Sequence, residues 1–172
     1  MSILRRLFPE RDQRAPYRPL YDAIVAEART PAWYLDGGVP DTVDGRFDMV
    51  ALVLALVLIR LEAEGDSGRL PSTLLTELFV DDMDGQLRQI GVGDVVVGKH
   101  VGRMMSALGG RITAYRAALL GDAPLGDALA RNLWRGDAPA TVDFAEDRVR
   151  RLHAALGAAA ADAIYAGRMP KP

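Results

Sequence analysis

The sequence predicts an all-α fold: a single-domain, irregular bundle of about six to eight helices around a buried apolar helix at about residues 45–64. Three observations carry this expectation. Apolar residues recur at helical spacing over most of the chain, and no stretch sustains the alternation of two that a half-buried strand needs. The 11-residue run Met49–Ile59 is apolar throughout, too short to span a bilayer, which takes about 20 residues, and so reads as a core helix. At 172 residues the chain is one domain in size, able to bury roughly 70% of its unfolded surface without disulfides or a structural metal.

Taken in order, residues 1–16 read as a basic N-terminal tail and residues 17–172 as the helical domain. Met1–Phe8 mixes Ile3, Leu4, Leu7 and Phe8 with Arg5 and Arg6, but Pro9 and Glu10 follow before a signal-peptide core develops. The simpler reading is a frayed basic terminus; the other is a short interfacial anchor in peripheral contact with a membrane. Tyr17–Thr30 reads as a helix between Pro19 and Pro31, with Leu20, Ile24, Val25 and Ala28 on one face. A loop is expected over Pro31–Gly45, with Asp44 capping the central helix and Gly65–Pro71 closing it. Ser72 is the expected N-cap of a helix to Gln89, with Leu75, Leu78, Phe79, Met83 and Leu87 facing the core. After a Gly91–Asp94 turn come helices over Val95–Leu108, Ile112–Leu120, Pro124–Trp134 and Val142–Tyr165. Val97, Val101, Met104, Met105 and Leu108 form the apolar face of the first of these; Val149, Leu152, Leu156, Ala159 and Ala163 form that of the last.

Composition excludes several chemistries. The absence of cysteine removes disulfides, thiolate zinc sites, iron–sulfur clusters and cysteine nucleophiles, and two histidines, His100 and His153, leave little for a transition metal. A net charge of −2 gives no overall footprint for specific nucleic-acid binding. Gly93–Lys99 fits G-x-x-x-x-G-K, but His100 stands where a P-loop needs Ser or Thr, and the run follows a helix instead of a strand. Asp81, Asp82 and Asp84 lack the spacing of a calcium loop, and none of the four serines sits in a nucleophile elbow. No cofactor, metal or catalytic residue is therefore expected. Charge is uneven: residues 61–98 carry 2 basic and 8 acidic groups, and residues 99–172 carry 11 and 7.

Two features admit a binding role. Gly98, Gly102 and Ser106 recur every four residues, leaving a stripe that either packs closely inside the bundle or admits a client helix. Met83, Met104 and Met105 either fill the core or supply an adaptable apolar surface.

The segment Val39-Pro-Asp-Thr-Val-Asp-Gly-Arg-Phe-Asp48, followed by an apolar helix ending Arg60-Leu61, resembles the signature of the ubiquinol-cytochrome c chaperone family. Asp82-Met-Asp-Gly-Gln-Leu-Arg88, Gly91-Val-Gly-Asp94, Val97-Gly-Lys99, Arg111, Ala114-Tyr115 and Ala128–Leu133 continue the match in order, over about residues 17–136. Gln89 and Ile90 depart from the glutamate and methionine usual there. The resemblance implies a non-catalytic α-helical assembly factor that binds newly made cytochrome b, or another nascent membrane subunit, during biogenesis of ubiquinol-cytochrome c reductase. Eukaryotic members act in mitochondria with a small partner protein and near the ribosome; a bacterial member would be cytoplasmic or peripheral at the inner membrane. The alternative class is a helical binder of a lipid, quinone or haem.

Within the matched blocks, Asp41, Thr42 and Asp44 surround a helix N-terminus, where they suit capping. Arg46 and Asp48 are too close in sequence to face each other on a helix, so each needs another partner. One reading gives them ion pairs inside the bundle with Asp84, Arg88 or Asp94; the other puts them on a surface that contacts a partner. Asp41, Arg46, Asp48, Asp84, Arg88, Asp94 and Lys99, with Gly98 and Gly102, are the candidate partner-binding residues.

Overall fold

The structure, a computed structural model, describes residues 12–89 and 94–172, and their side chains except at 87 and 94–101. Among the described residues there is no strand. Among the described residues a 3-10 turn, Ala15–Tyr17, leads into eight α-helices. They are α1 (Arg18–Ala28), α2 (Pro31–Leu35), α3 (Val43–Glu62), α4 (Asp66–Gln89), α5 (Asp94–Leu120), α6 (Leu125–Leu133), α7 (Val142–Ala158) and α8 (Ala161–Tyr165). The all-α expectation holds.

Helix α3 is the axis of the bundle. Every residue from Met49 to Ile59 is buried, and α1, α4, α5, α6 and α7 all pack against it. An apolar surface on all sides demands partners on all sides, and the flanking helices supply them through single stripes: Leu20, Ile24 and Ala28 from α1, Leu75 and Phe79 from α4, Val149, Leu152 and Leu156 from α7.

Five local expectations are corrected. The loop 31–45 contains α2, which begins at Pro31, where the missing N–H costs nothing. Its Trp33 is fully buried; the indole Nε1 donates to the Glu27 carbonyl oxygen (3.1 Å), and Arg148 of α7 stacks on the ring at 4.8 Å while binding the Glu27 carboxylate at 2.9 Å. The cap of α3 is Thr42, not Asp44: Thr42 is extended and its Oγ1 accepts from the Gly45 N–H at 3.1 Å, leaving Asp44 in the first turn to favour the dipole.

Helix α4 starts at Asp66, not after Ser72. The left-handed Gly65 (φ 62°) makes the turn, Pro71 lies within the helix, and the Ser72 hydroxyl donates back to the Gly68 carbonyl at 2.8 Å instead of capping. The two helices expected over 95–108 and 112–120 are one, running through Gly109-Gly110. Leu108 and Tyr115, with half-buried Ile112, form one stripe facing inward, and its burial outweighs a glycine penalty of about 1 kcal/mol per residue. Conversely, the single helix expected over 142–165 breaks at Ala159-Ala160, both extended. There Arg60 of α3 donates to the Leu156 and Ala159 carbonyls at 2.9 and 3.2 Å, satisfying the end of α7. The turn expected at Gly91–Asp94 lies outside the described residues up to Gly93; from Asp94 the backbone is helical, which disposes of a phosphate loop at Gly93–Lys99.

Candidate functional site

Two of the matched blocks, Val39–Asp48 and Arg111, meet the end of α6 at the N-terminus of α3. Gly45, at the start of the helix, passes so close to the Pro40 carbonyl that a Cβ would lie 2.0 Å from its oxygen; only glycine permits the approach. Asp48, one turn on, is buried (4% exposed) and forms an ion pair with Arg111 of α5. The Arg111 guanidinium also lies 5.3 Å above the Phe47 ring, and Phe47 packs on Phe79 of α4 at 5.7 Å. From the end of α6, Trp134 donates its Nε1 proton to the Gly38 carbonyl at 2.8 Å, and Arg135 reaches Asp44 at 3.1 Å and Asp48 at 4.0 Å. Arg135 holds this position in the left-handed region (φ 56°), uncommon for a residue with a side chain.

The electrostatics divide this cluster in two. Burial pushes the Asp48 carboxyl above the ordinary range, against the pull of Arg111 and Arg135. Asp41 is exposed and bound by Arg46 at 2.5 and 3.1 Å, and that hydrogen bonding lowers its pKa. Arg46 and Asp48 therefore do find separate partners, Asp41 and Arg111, on opposite sides of the surface boundary.

The other candidates lie apart from this cluster. Asp84 and Arg88 pair with each other one turn apart on α4 (2.7 Å). Asp94, Gly98 and Lys99 sit on α5, with side chains outside the described set. Gly102 and Ser106 are exposed, and a Cβ at Gly102 would meet nothing, so this part of the stripe does not pack inside the bundle. Met83 is core and Met104 is half-buried against it; only Met105 reaches an open surface. Arg111, Trp134 and Arg135 were missed as site residues, although Arg111 belonged to a matched block.

The open surface is a groove of about 920 Å³ between α3, α4 and α5. Leu58, Met105, Ile112 and Val80 supply its apolar lining. The α4 wall carries Gly68, Ser72, Thr73 and Thr76, whose hydroxyls donate to carbonyls of their own helix and so offer a guest little competition. Gly68 is required there, since a Cβ would lie 1.9 Å from the Leu61 carbonyl oxygen. Glu62, Glu77 and Asp81 edge the groove with Arg14 and Arg69. Glu62 pairs with Arg116, and Arg14 with Asp81. Among the described residues no group of His, Asp or Glu is placed to hold a metal, and no helix is long and apolar enough to cross a membrane.

Fold and site together define an all-α bundle protein with a braced polar motif at one end of its central helix and an external apolar groove at the other. The chain belongs to the ubiquinol-cytochrome c chaperone family, whose model matches residues 35–170. It is similar to ubiquinol-cytochrome c reductase complex assembly factor 1 of Mus musculus (24% identical) and of Homo sapiens (25%), over 116 residues in each case. That match spans 67% of this chain and 38% of those proteins. The crystal structure of the Cbp3 homolog from Brucella abortus shares the fold with a TM-score of 0.81 and 29% identity, covering 99% of this chain and 94% of that one.

Proposed function

We propose that this chain is a non-catalytic assembly chaperone that binds newly made cytochrome b, or another membrane subunit, during biogenesis of ubiquinol-cytochrome c reductase. The observation that carries this reading is the groove between α3, α4 and α5 in a member of the ubiquinol-cytochrome c chaperone family. A membrane subunit exposes apolar helices before insertion. The groove is open and long enough, about 24 Å along α4 from Gly65 to Asp81, to take one face of such a helix. At its edge Glu62, Glu77 and Asp81 outnumber Arg14 and Arg69, a slight acidic excess that suits the basic residues flanking membrane helices on the cytoplasmic side, and Met105 adapts to varied side chains.

The exposed pairs Asp41–Arg46 and Asp84–Arg88, with Asp94, Gly98, Lys99 and Gly102, are proposed as further partner contacts. Asp48 acts from the interior, through Arg111. A small partner protein, the ribosome and peripheral contact with the inner membrane belong to the same proposal.

Affinity capture of the tagged chain from its own organism, with and without active translation, tests the reading. Cytochrome b should co-purify while translation runs. Folded Met105→Glu, Thr76→Arg protein should lose it, and an Arg46, Arg88, Lys99 triple alanine variant should retain less. Capture of no membrane subunit by the unaltered chain sinks the chaperone reading; undiminished capture by the groove variant moves the client elsewhere. A haem absorbance band or co-extracted quinone in the purified protein would favour the small-molecule class.

A further inference from the structure

Helix α5 carries a glycine pair at its middle, Gly109-Gly110, that packing does not call for. Both residues are exposed, a Cβ at either would meet nothing, and neither has a positive φ. Glycine is the weakest helix former after proline, so the pair loosens the backbone with no close approach in return. Thr113 adds to this. Its hydroxyl donates to the Gly109 carbonyl at 3.0 Å, the oxygen that also takes the Thr113 N–H in an α-helix, and such sharing weakens and bends a helix. The halves on either side of the pair are held unequally. Beyond it, Arg111 and Arg116 clip α5 to α3 through Asp48 and Glu62, and Tyr115 and Ala118 are buried. Before it, Gly102, Arg103, Ser106 and Ala107 are exposed, Met104 and Met105 are half-buried, and Leu108 is buried. Among the described residues no ion pair or side-chain hydrogen bond joins residues 102–108 to another helix. The groove spans both halves: Met105 lines it from the first and Ile112 from the second.

We infer that α5 bends at Gly109-Gly110, so that residues 102–108 pivot on the fixed half and carry Met105 toward or away from α4, changing the width of the groove at that end. Leu108, buried beside the pair, is the fulcrum. A few residues that absorb a change in φ and ψ suffice for such a motion, and here it breaks no ion pair, because those of α5 lie beyond the glycines. A groove with a fixed floor at Leu58 and Ile112 and an adjustable wall at Met105 accommodates guests of different girth without repacking the core around α3. The hinge stands on α5 itself; only its use in admitting and releasing a client rests on the chaperone reading above.

The absence of cysteine makes spin labelling of the full chain a clean test. Thr73→Cys on α4 pairs either with Ser106→Cys on the free half of α5 or with Ala117→Cys on the fixed half, all three at exposed positions. Double electron–electron resonance should give a distance distribution about twice as wide for the Thr73–Ser106 pair as for the Thr73–Ala117 pair. Gly109→Ala with Gly110→Ala should narrow the first to the width of the second, and Tm should rise, since both added Cβ atoms meet open space. Equal widths for the two pairs, or a first distribution that the alanines leave unchanged, would overturn the hinge. Hydrogen exchange on the unaltered chain reads the same point without substitution. The amides of residues 110–113, whose helical bonds cross the glycines, should exchange about tenfold faster than those of residues 115–118; uniform protection along this stretch refutes the bend. A synthetic apolar helix added to the labelled chain should narrow the Thr73–Ser106 distribution. Binding without that change removes the hinge from client handling, and absence of binding counts against the client reading while the unliganded widths still decide the hinge.

Discussion

Asp48 and Arg111 form a buried ion pair, with side chains 5% and 11% exposed, inside a largely apolar bundle. Such a pair gives up much of its Coulomb gain to desolvation, so its removal and its disruption have different consequences. Asp48→Ala, which strands the guanidinium under Phe47, should cost about 3 kcal/mol or more in a urea titration, whereas Asp48→Leu with Arg111→Met should stay within about 1 kcal/mol of the parent. Tyr21 and Tyr115 give the pH dependence. Burial raises both phenols above the ordinary value of 10, with the Asp82 carboxylate adding to the effect at Tyr21. Their folded pKa values lie above the unfolded value, so their contribution is complete below pH 10 and is lost as pH rises beyond it. Each phenol should steepen that loss by about 1.4 kcal/mol per pH unit. The Tyr115 hydroxyl lies beside Asn132 but makes no hydrogen bond of good geometry, the Asn132 amide donating to the Ala128 carbonyl instead, so Tyr115→Phe should be close to neutral or stabilising at pH 7 and should flatten the alkaline slope between pH 10 and 11.

At the scale of the element, the beginnings and ends of helices separate what local chemistry decides from what packing decides. Thr42 caps α3 by a local bond, so Thr42→Ala should lower stability by about 1 kcal/mol and Thr42→Ser should restore it. Glycines divide by surroundings. Gly45→Ala must push against the Pro40 carbonyl and should be destabilising, while Gly102→Ala or Gly110→Ala meets open space on a helix face and should add up to about 1 kcal/mol, read as a rise of about 2–4 °C in Tm. The helical stripes of α1, α4 and α7 were legible because burial on one side imposes a 3.6-residue period. The junctions were less so. Ser72 looks like a cap, but the turn is already made by Gly65; Gly109-Gly110 looks like a break, but Leu108 and Tyr115 hold the helix on its neighbours.

Across the whole molecule one continuous core runs from Leu20 to Ile164, and Trp33 and Trp134 both belong to it. Far-UV circular dichroism and tryptophan fluorescence should therefore report coincident unfolding curves; a separate early fluorescence transition would show that the α2 or α6 region unfolds independently. At this scale the acidic middle of the chain also finds its place: Glu77 and Asp81 from it edge the groove, and Glu62 is already paired with Arg116 from the basic last part. Opposite charge in the two stretches thus acts within the fold, and under the proposed function also toward a guest.

What the sequence determined by itself was the all-α class, the burial of Met49–Ile59 and the family, because helical period and ordered motifs are properties of neighbouring residues along the chain. What only the tertiary structure decided was which charges meet and where a surface stays open. Asp48 pairs with Arg111, 63 residues away, Arg60 ends α7 across 96 residues, and the groove exists only where α3, α4 and α5 leave a gap. Distant pairs of this kind depend on how helices cross, and crossing is set by the packing of whole faces rather than by any local pattern.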